Sequence, residues 1–286
     1  MPRPHPKASR RRSEASPQPE TVDPVWLAKA IGVTLALAFV CGYLALCFLF
    51  YQGQWQIVLH PARTATAPAS IEGAAFEAVH FAPGSDAIPK LTGWWIPAVP
   101  QGRFHEATVL FLPAGDGSLA DSTPTLGLLH TLGINVFAFD YRGYGQSAKV
   151  HPSQQRMTED ADSAWQYLTQ SRGVPPERIV LYGTGVGASL ATRLAQSHAT
   201  VSALILDAPN ADDFPMAKPL ETLRTPKLLI AGPESSGQMK TAFRSAAGPK
   251  VTAETGTSEK TPDAEVLVHF FDRYLPQSAI SATAAR

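Results

Sequence analysis

Cysteine is scarce: the 286-residue chain has two, Cys41 and Cys47, and both lie inside one apolar run. They supply no disulfide framework for the rest of the chain, their spacing matches no metal site, and they read as small apolar residues of a hydrophobic helix. No metal and no cofactor is expected. Net charge is missing too. Twenty-four basic residues balance 24 acidic ones, so no global positive field gathers phosphates, which argues against a nucleic-acid partner. No repeat of fixed period appears, so solenoids and propellers drop out.

What is present begins with a long apolar run, VWLAKAIGVTLALAFVCGYLALCFLFY from Val25, with no charged residue between Ala30 and Tyr51. About 20 such residues span the ~30 Å hydrocarbon core of a bilayer. The run is longer than the ~7–15 apolar residues of a secretory signal, and bulky CFLFYQ follows where small residues would mark a cleavage site. It reads as an uncleaved signal anchor, with Trp26, Tyr51 and Trp55 as interface aromatics. Arg3, Lys7, Arg10, Arg11, Arg12 and Lys29 precede the run and only Arg63 follows closely. Positive-inside logic keeps the N-terminus cytoplasmic and exports the rest, to the periplasm in a bacterium. The expected organisation is a disordered basic tail over 1–24, the transmembrane anchor over 25–51, a globular domain over 56–276 and a flexible tail over 277–286.

Beyond the anchor, short apolar runs alternate with helical patterns. The strand candidates are Phe76–Phe81, Leu91–Ile96, Thr108–Leu112, Asn135–Phe139, Arg178–Tyr182, Ala203–Leu206, Lys227–Ile230 and Lys250–Ala253. Continuous apolar runs of this length suit strands covered on both faces. The helix candidates are Leu119–Leu132, Met157–Ser171, Val186–His198, Gln238–Ala246 and Thr261–Tyr274. The second would carry Glu159, Asp160 and Asp162 in its first turn, where the helix dipole favours negative charge. Alternation of this kind implies an α/β fold with a mainly parallel sheet flanked by helices.

The stretch IVLYGTGVGASLATRLAQ at Ile179–Gln196 runs from a strand through a glycine-dense corner into a helix. Gly183, Gly185 and Ala188 satisfy a dinucleotide-binding fingerprint, and Asp207 ends the next strand where a ribose-binding acid would sit. That fingerprint usually belongs to the first strand–helix turn, and here about three units precede it. Alternatively Gly183, Gly185 and Gly187 frame a nucleophile elbow, G-x-S-x-G. The nucleophile position is then Gly185, which has no side chain.

A second motif favours the elbow. FAFDYRGYGQSA at Phe137–Ala148 closely resembles the strand and loop D-x-R-G-x-G-x-S of α/β-hydrolases, with Asp140, Arg142, Gly143, Gly145 and Ser147 in register. In that family the loop is structural, and Arg142 ties it down through carbonyls and a carboxylate. The resemblance covers most of residues 76–276. TVLFLPAGDGSLAD resembles the oxyanion-hole strand and loop, IVLYGTGVGASLA the elbow, TPKLLIAGPE the late strand before the acid loop, and EVLVHFFDRYLP the C-terminal helix. An anchor followed by LHPAR is similar to membrane-anchored hydrolases of the serine aminopeptidase S33 type. The resemblance implies an α/β-hydrolase fold preceded by one transmembrane helix, and ester or peptide hydrolysis by a serine triad.

Residue by residue, that triad is degenerate. Gly185 offers no hydroxyl; Thr184 and Ser189 are weak substitutes. After His198 the only histidine is His269, placed mid-helix, and the expected histidine site reads ETGTSEK, with Ser258 or Glu259 near it. Glu234 or Asp207 would serve as the acid, with no base to orient. The oxyanion His-Gly is Pro113–Ala114 here. The main-chain donors around Gly115, Asp116 and Gly117 do not need those side chains, and the orphan N–H groups and dipole of the helix after the corner point at the same spot. Ala114, Gly115, Asp116, Gly183, Thr184, Gly185 and Val186 form the expected ligand-facing set. Losing one triad member leaves only ~10³–10⁴-fold acceleration. The expectation is a pseudo-hydrolase that takes a small acyl, ester or peptide ligand, or a protein partner. The alternatives are an active hydrolase with non-standard residues, including water activated by Asp207, Glu234 or Asp116, and dinucleotide binding.

Overall fold

The computed structural model describes residues 23–63, 66–83, 88, 90–209, 217–232, 235, 237–254 and 262–275. The chain divides into two compact units, residues 1–53 and 54–286. The described part of the first is helix α1 (Pro24–Val58), which runs on past Gly53 and extends seven residues beyond the expected end of the apolar run at 51. Its stretch Pro24–Phe50 is 27 residues long, apolar and unburied, long enough to cross a membrane. Trp26 is exposed; the side chains of Tyr51 and Trp55 lie outside the described set.

In the second unit the elements follow in chain order as β1 (His60–Pro61), β2 (Glu77–Phe81), β3 (Leu91–Ile96), β4 (Thr108–Leu112), β5 (Asp116–Gly117), α2 (Thr123–Thr131), β6 (Asn135–Asp140), α3 (Gln154–Gln166), β7 (Ile179–Thr184), α4 (Gly187–Ser197), β8 (Ala203–Asp207), α5 (Ala217–Thr222), β9 (Lys227–Ala231), α6 (Gly237–Ser245), β10 (Lys250–Glu254) and α7 (Ala264–Tyr274). Among the described residues, eight strands form one sheet, ordered β10-β9-β8-β7-β4-β6-β3-β2. In it β3 pairs antiparallel with β2 and β6, and the other pairings are parallel. All eight strands stand where the apolar runs place them. β4, β7, β8 and β9 are buried along nearly their whole length because a hydrophobic layer covers each face. One layer holds Leu110, Leu181, Leu204 and Leu229 against α3, α4 and α6; the other holds Val109, Tyr182, Ile205 and Leu228 against α2 and α7. Trp94 is buried in the second layer, while Trp95 is half-buried under the Arg172 guanidinium, 4.9 Å from its ring centre.

Three helices start elsewhere than the pattern indicates; one is α7, which begins at Ala264 rather than Thr261 because the Asp263 carboxylate caps the Glu265 N–H at 2.8 Å. α3 begins at Gln154, not Met157, because Ser153 is extended (φ −153°) and its hydroxyl caps the Arg156 N–H at 3.3 Å. Glu159, Asp160 and Asp162 therefore lie in its middle and pair with arginines rather than with the helix dipole. The Leu119–Leu132 segment splits into a short 3₁₀ turn, Leu119–Ser122, and α2, which starts with Pro124 in its first turn. The sequence pattern did not reveal α5, β1 or β5.

Candidate functional site

The corner after β7 is built by close approach. A Cβ on Gly183 would lie 2.6 Å from the Ala188 Cα, and one on Gly187 2.6 Å from the Pro113 carbonyl oxygen. These two positions have no room for a side chain because strand, turn and helix touch there. Gly185 differs. Its φ is +50°, a left-handed bend, and a Cβ there would meet only Ala114, Cβ to Cβ at 3.0 Å. Gly185 is half-buried, so the bend faces a partly open space. Its N–H donates to the Asp207 carbonyl at 3.3 Å, which fixes the turn to the end of β8. Thr184 is half-buried and lies in register with Asp207. Ser189 is half-buried in the first turn of α4, with its N–H on the Val186 carbonyl.

Opposite the bend runs the loop after β4. Ala114 faces Gly185, and Gly115 faces Val186: a Cβ on Gly115 would sit 3.0 Å from Val186 Cγ2 and 2.7 Å from Leu59 Cδ2. Among the described residues, the main-chain N–H groups of Gly115 and Val186 have no acceptor. Two such unpaired donors on touching segments are the kind of groups from which an oxyanion hole is built. Their carbonyl side is held from below. The Tyr144 hydroxyl donates to the Gly115 carbonyl at 2.9 Å and the Tyr141 hydroxyl to the Pro113 carbonyl at 3.2 Å. Burial pushes both phenols up, so they stay donors.

The loop after β6 carries those tyrosines and is itself pinned. Asp140 is buried; its carboxylate accepts the Leu119 N–H at 2.8 Å and the Gln146 N–H at 3.2 Å. Gly145 (φ +41°) leaves no room for a Cβ over that carboxylate. Gly143 (φ +97°) turns the chain against Val150 and Pro152. Arg142 donates to Asp160, to Glu159 and to the Arg156 carbonyl. None of these groups reaches the bend, and their part is to hold the loop.

Of the acid candidates, Asp207 ends β8, nearly buried, and accepts the Tyr182 hydroxyl at 2.8 Å. Burial raises its carboxyl. No histidine contacts it among the described residues. Glu234, Ser258 and Glu259 lie outside the described residues. His269 is exposed on α7. His198 caps the end of α4 and stacks on Trp165 with ring centres 4.1 Å apart, its imidazole pushed down by burial.

One imidazole stands on the segment paired with the loop after β4, and sequence reasoning missed it. His60 lies on β1, which pairs with β5 in register His60–Asp116. Its Nδ1 is 3.0 Å from Asp116 Oδ1. The only sequence signal was its place in LHPAR directly after the apolar run; the pairing of two two-residue strands is not legible in composition or period.

Residues 106–254, just over half the chain, match the family described as serine aminopeptidase, S33. The chain belongs to that family. An uncharacterised Mycobacterium tuberculosis protein is 28% identical over 221 residues, covering 67% of this chain and 76% of that one. The human alpha/beta hydrolase domain-containing protein 17C is 34% identical over 125 residues, 38% of this chain and 37% of that one. Among solved structures, a Pyrococcus furiosus esterase superposes with TM-score 0.61 at 16% identity, covering 77% of this chain and 98% of its own. A Xanthomonas campestris α/β serine hydrolase without lid gives 0.56 at 18%, covering 75% and 100%. Those two likenesses concern the fold. The segments that the sequence marks as a candidate elbow and oxyanion loop, Gly183–Gly187 and Pro113–Gly117, touch here.

Proposed function

We propose that this chain is a membrane-tethered family member that has lost the acyl-enzyme route and keeps the corner as a binding site for a carbonyl-bearing ligand. The ligand is a small acyl, ester or peptide group, with its oxygen between the Gly115 and Val186 N–H groups. The observation that carries it is Gly185: the bend that would present a nucleophile carries only hydrogen there, and the one histidine late in the chain, His269, lies mid-helix on α7. Ala114, Gly115, Asp116, Gly183, Thr184, Gly185 and Val186 face the ligand. Asp140, Arg142, Gly143 and Gly145 hold the supporting loop.

The same proposal has residues 25–51 as an inner-membrane anchor with the tail 1–24 cytoplasmic, the domain 56–276 extracytoplasmic and 277–286 a tail. The basic residues before the apolar run support that orientation. Intact-mass analysis of the full chain in detergent micelles tests the chemistry, after incubation with 4-nitrophenyl butyrate and with a fluorophosphonate. Unchanged mass is expected; an acyl or phosphonyl adduct on any side chain overturns the proposal. Protease protection in sealed spheroplasts and inverted vesicles tests the orientation, with cleavage of the domain expected only from the extracytoplasmic side.

A further inference from the structure

We infer that His60, oriented by Asp116, is a general base that lets water attack an ester carbonyl held by the Gly115 and Val186 N–H groups. This route needs no side chain at position 185. It goes beyond the binding function proposed above and shares with it only the premise that those two N–H groups take a carbonyl oxygen.

Placement comes first. The His60 N–H donates to the Gly115 carbonyl at 2.9 Å and the Ala62 N–H to the Gly117 carbonyl at 2.7 Å. His60 is thus bonded by main chain to the very residue whose N–H forms half of the oxygen pocket. Leu59, its neighbour, is buried against Gly115. The segment is fixed further on, where the Gly145 N–H donates to the Ala62 carbonyl at 2.9 Å and Arg63 donates to the Tyr144 and Ser147 carbonyls at 3.1 and 2.8 Å. The imidazole therefore stands on a rigid mount.

Ring orientation comes second. Asp116 engages Nδ1, which leaves Nε2 without a partner among the described residues. A carboxylate on Nδ1 holds the tautomer whose Nε2 accepts a proton. The two side chains are 65% and 67% exposed, so water and a small ester reach them. An exposed ion pair contributes little to stability, and the main-chain bonds already hold β1 to β5, so structure alone gives this pair no task.

Of the other described histidines, His80 on β2 faces Thr92, His105 the Gly102 carbonyl, and His198 stacks on Trp165, while His130, His151 and His269 lie on α2, in the loop before α3 and on α7.

In the step, the water oxygen bonds to the carbonyl carbon as its proton passes to His60 Nε2, and the carbonyl π pair moves onto the oxygen between the two N–H donors. Collapse breaks the bond to the alcohol oxygen, which takes the proton back from the imidazolium. Ester and water give acid and alcohol, with no covalent enzyme intermediate.

The test uses the full chain in detergent micelles and 4-nitrophenyl acetate. Wild type is expected to turn over without a burst. His60→Gln is expected to fall about 10²-fold, with thermal unfolding unchanged. Asp116→Asn is expected to fall less and to alter the pH–rate profile, as a positioning residue would. His105→Gln, another exposed histidine remote from the corner, is expected to keep the wild-type rate. Wild-type turnover no faster than free imidazole at equal histidine concentration overturns the inference. So does a His60→Gln rate equal to wild type, or an equal loss in His105→Gln. An acyl adduct found by mass overturns the proposed function; loss of His60 dependence without an adduct overturns this inference alone.

Discussion

Arg142 and Asp160 are joined twice: the Arg142 main-chain N–H donates to Oδ2 at 2.8 Å, and its guanidinium Nε donates to Oδ1 at 2.5 Å. Asp160 is wholly buried and Arg142 nearly so. Burial is the largest influence on this carboxyl and lifts it to about 6, against the pull of Arg142. The pair ties the loop after β6 to α3 and so steadies the two tyrosines that hold the Pro113 and Gly115 carbonyls.

Asp160→Ala leaves the guanidinium with one exposed carboxylate and a carbonyl. Removing one partner of a buried pair costs about 3 kcal/mol, measurable as a lower urea midpoint at pH 7. The pH dependence has a definite sign. A carboxyl held higher in the folded state keeps a proton that the unfolded chain releases, so stability falls as pH rises from about 4 to about 6. Asp160→Asn is expected to flatten that window.

The elbow glycines rank by what surrounds them. Gly183→Ala and Gly187→Ala push a methyl into backbone and are each expected to cost about 3 kcal/mol or more. Gly185→Ala meets one methyl that yields by a few tenths of an ångström, plus a left-handed bend worth about 1–2 kcal/mol. Chemical denaturation of the three variants checks the order. If Gly185→Ala proved the worst, the space assigned to the missing nucleophile would be filled.

Most of the fold was legible in the sequence. VLFL, VFAF, IVLY and LILD are runs that only a doubly covered sheet buries, and they fixed the parallel core. The DYRGYG and GTGVG spacings located the loop and the corner, because at Gly145, Gly183 and Gly187 a Cβ would collide with a carboxylate or with backbone. What escaped depends on tertiary pairing. Ser153 outcompetes the acids as the start of α3 because its cap geometry is local and invisible to a charge pattern. His60 and Asp116 are 56 residues apart and meet through two strands too short to have a period.

Lys227 opens β9 with its side chain fully buried, and its ammonium donates to the Leu223 and Ala247 carbonyls, both at 2.8 Å. Burial, helped by Lys250 and Arg224, brings it down to about 8. A base held lower in the folded state binds fewer protons than the unfolded chain, so this group adds stability as pH rises from about 8 to about 10.5. The gain is at most about 3 kcal/mol. Lys227→Met is expected to lose that rise, read as urea midpoints at pH 7.5, 9 and 10 that no longer climb relative to wild type.

Val186 allows the oxygen pocket to be tested without a charge change. Its φ of −66° is already that of proline, and its N–H lies ahead of α4, so proline there removes a donor without removing a helix bond. If the pocket works as two converging donors, Val186→Pro abolishes half of it while Gly115 keeps the other half. Loss of one such donor lowers turnover by about 10²–10³ where charge develops on the oxygen. The expected result is a chain that melts within a few degrees of wild type yet hydrolyses 4-nitrophenyl acetate at about the rate of His60→Gln. The double variant His60→Gln, Val186→Pro is then expected to fall no further than a small factor, because base and pocket serve one transition state and their losses do not add. Additive losses would place the two groups at separate sites.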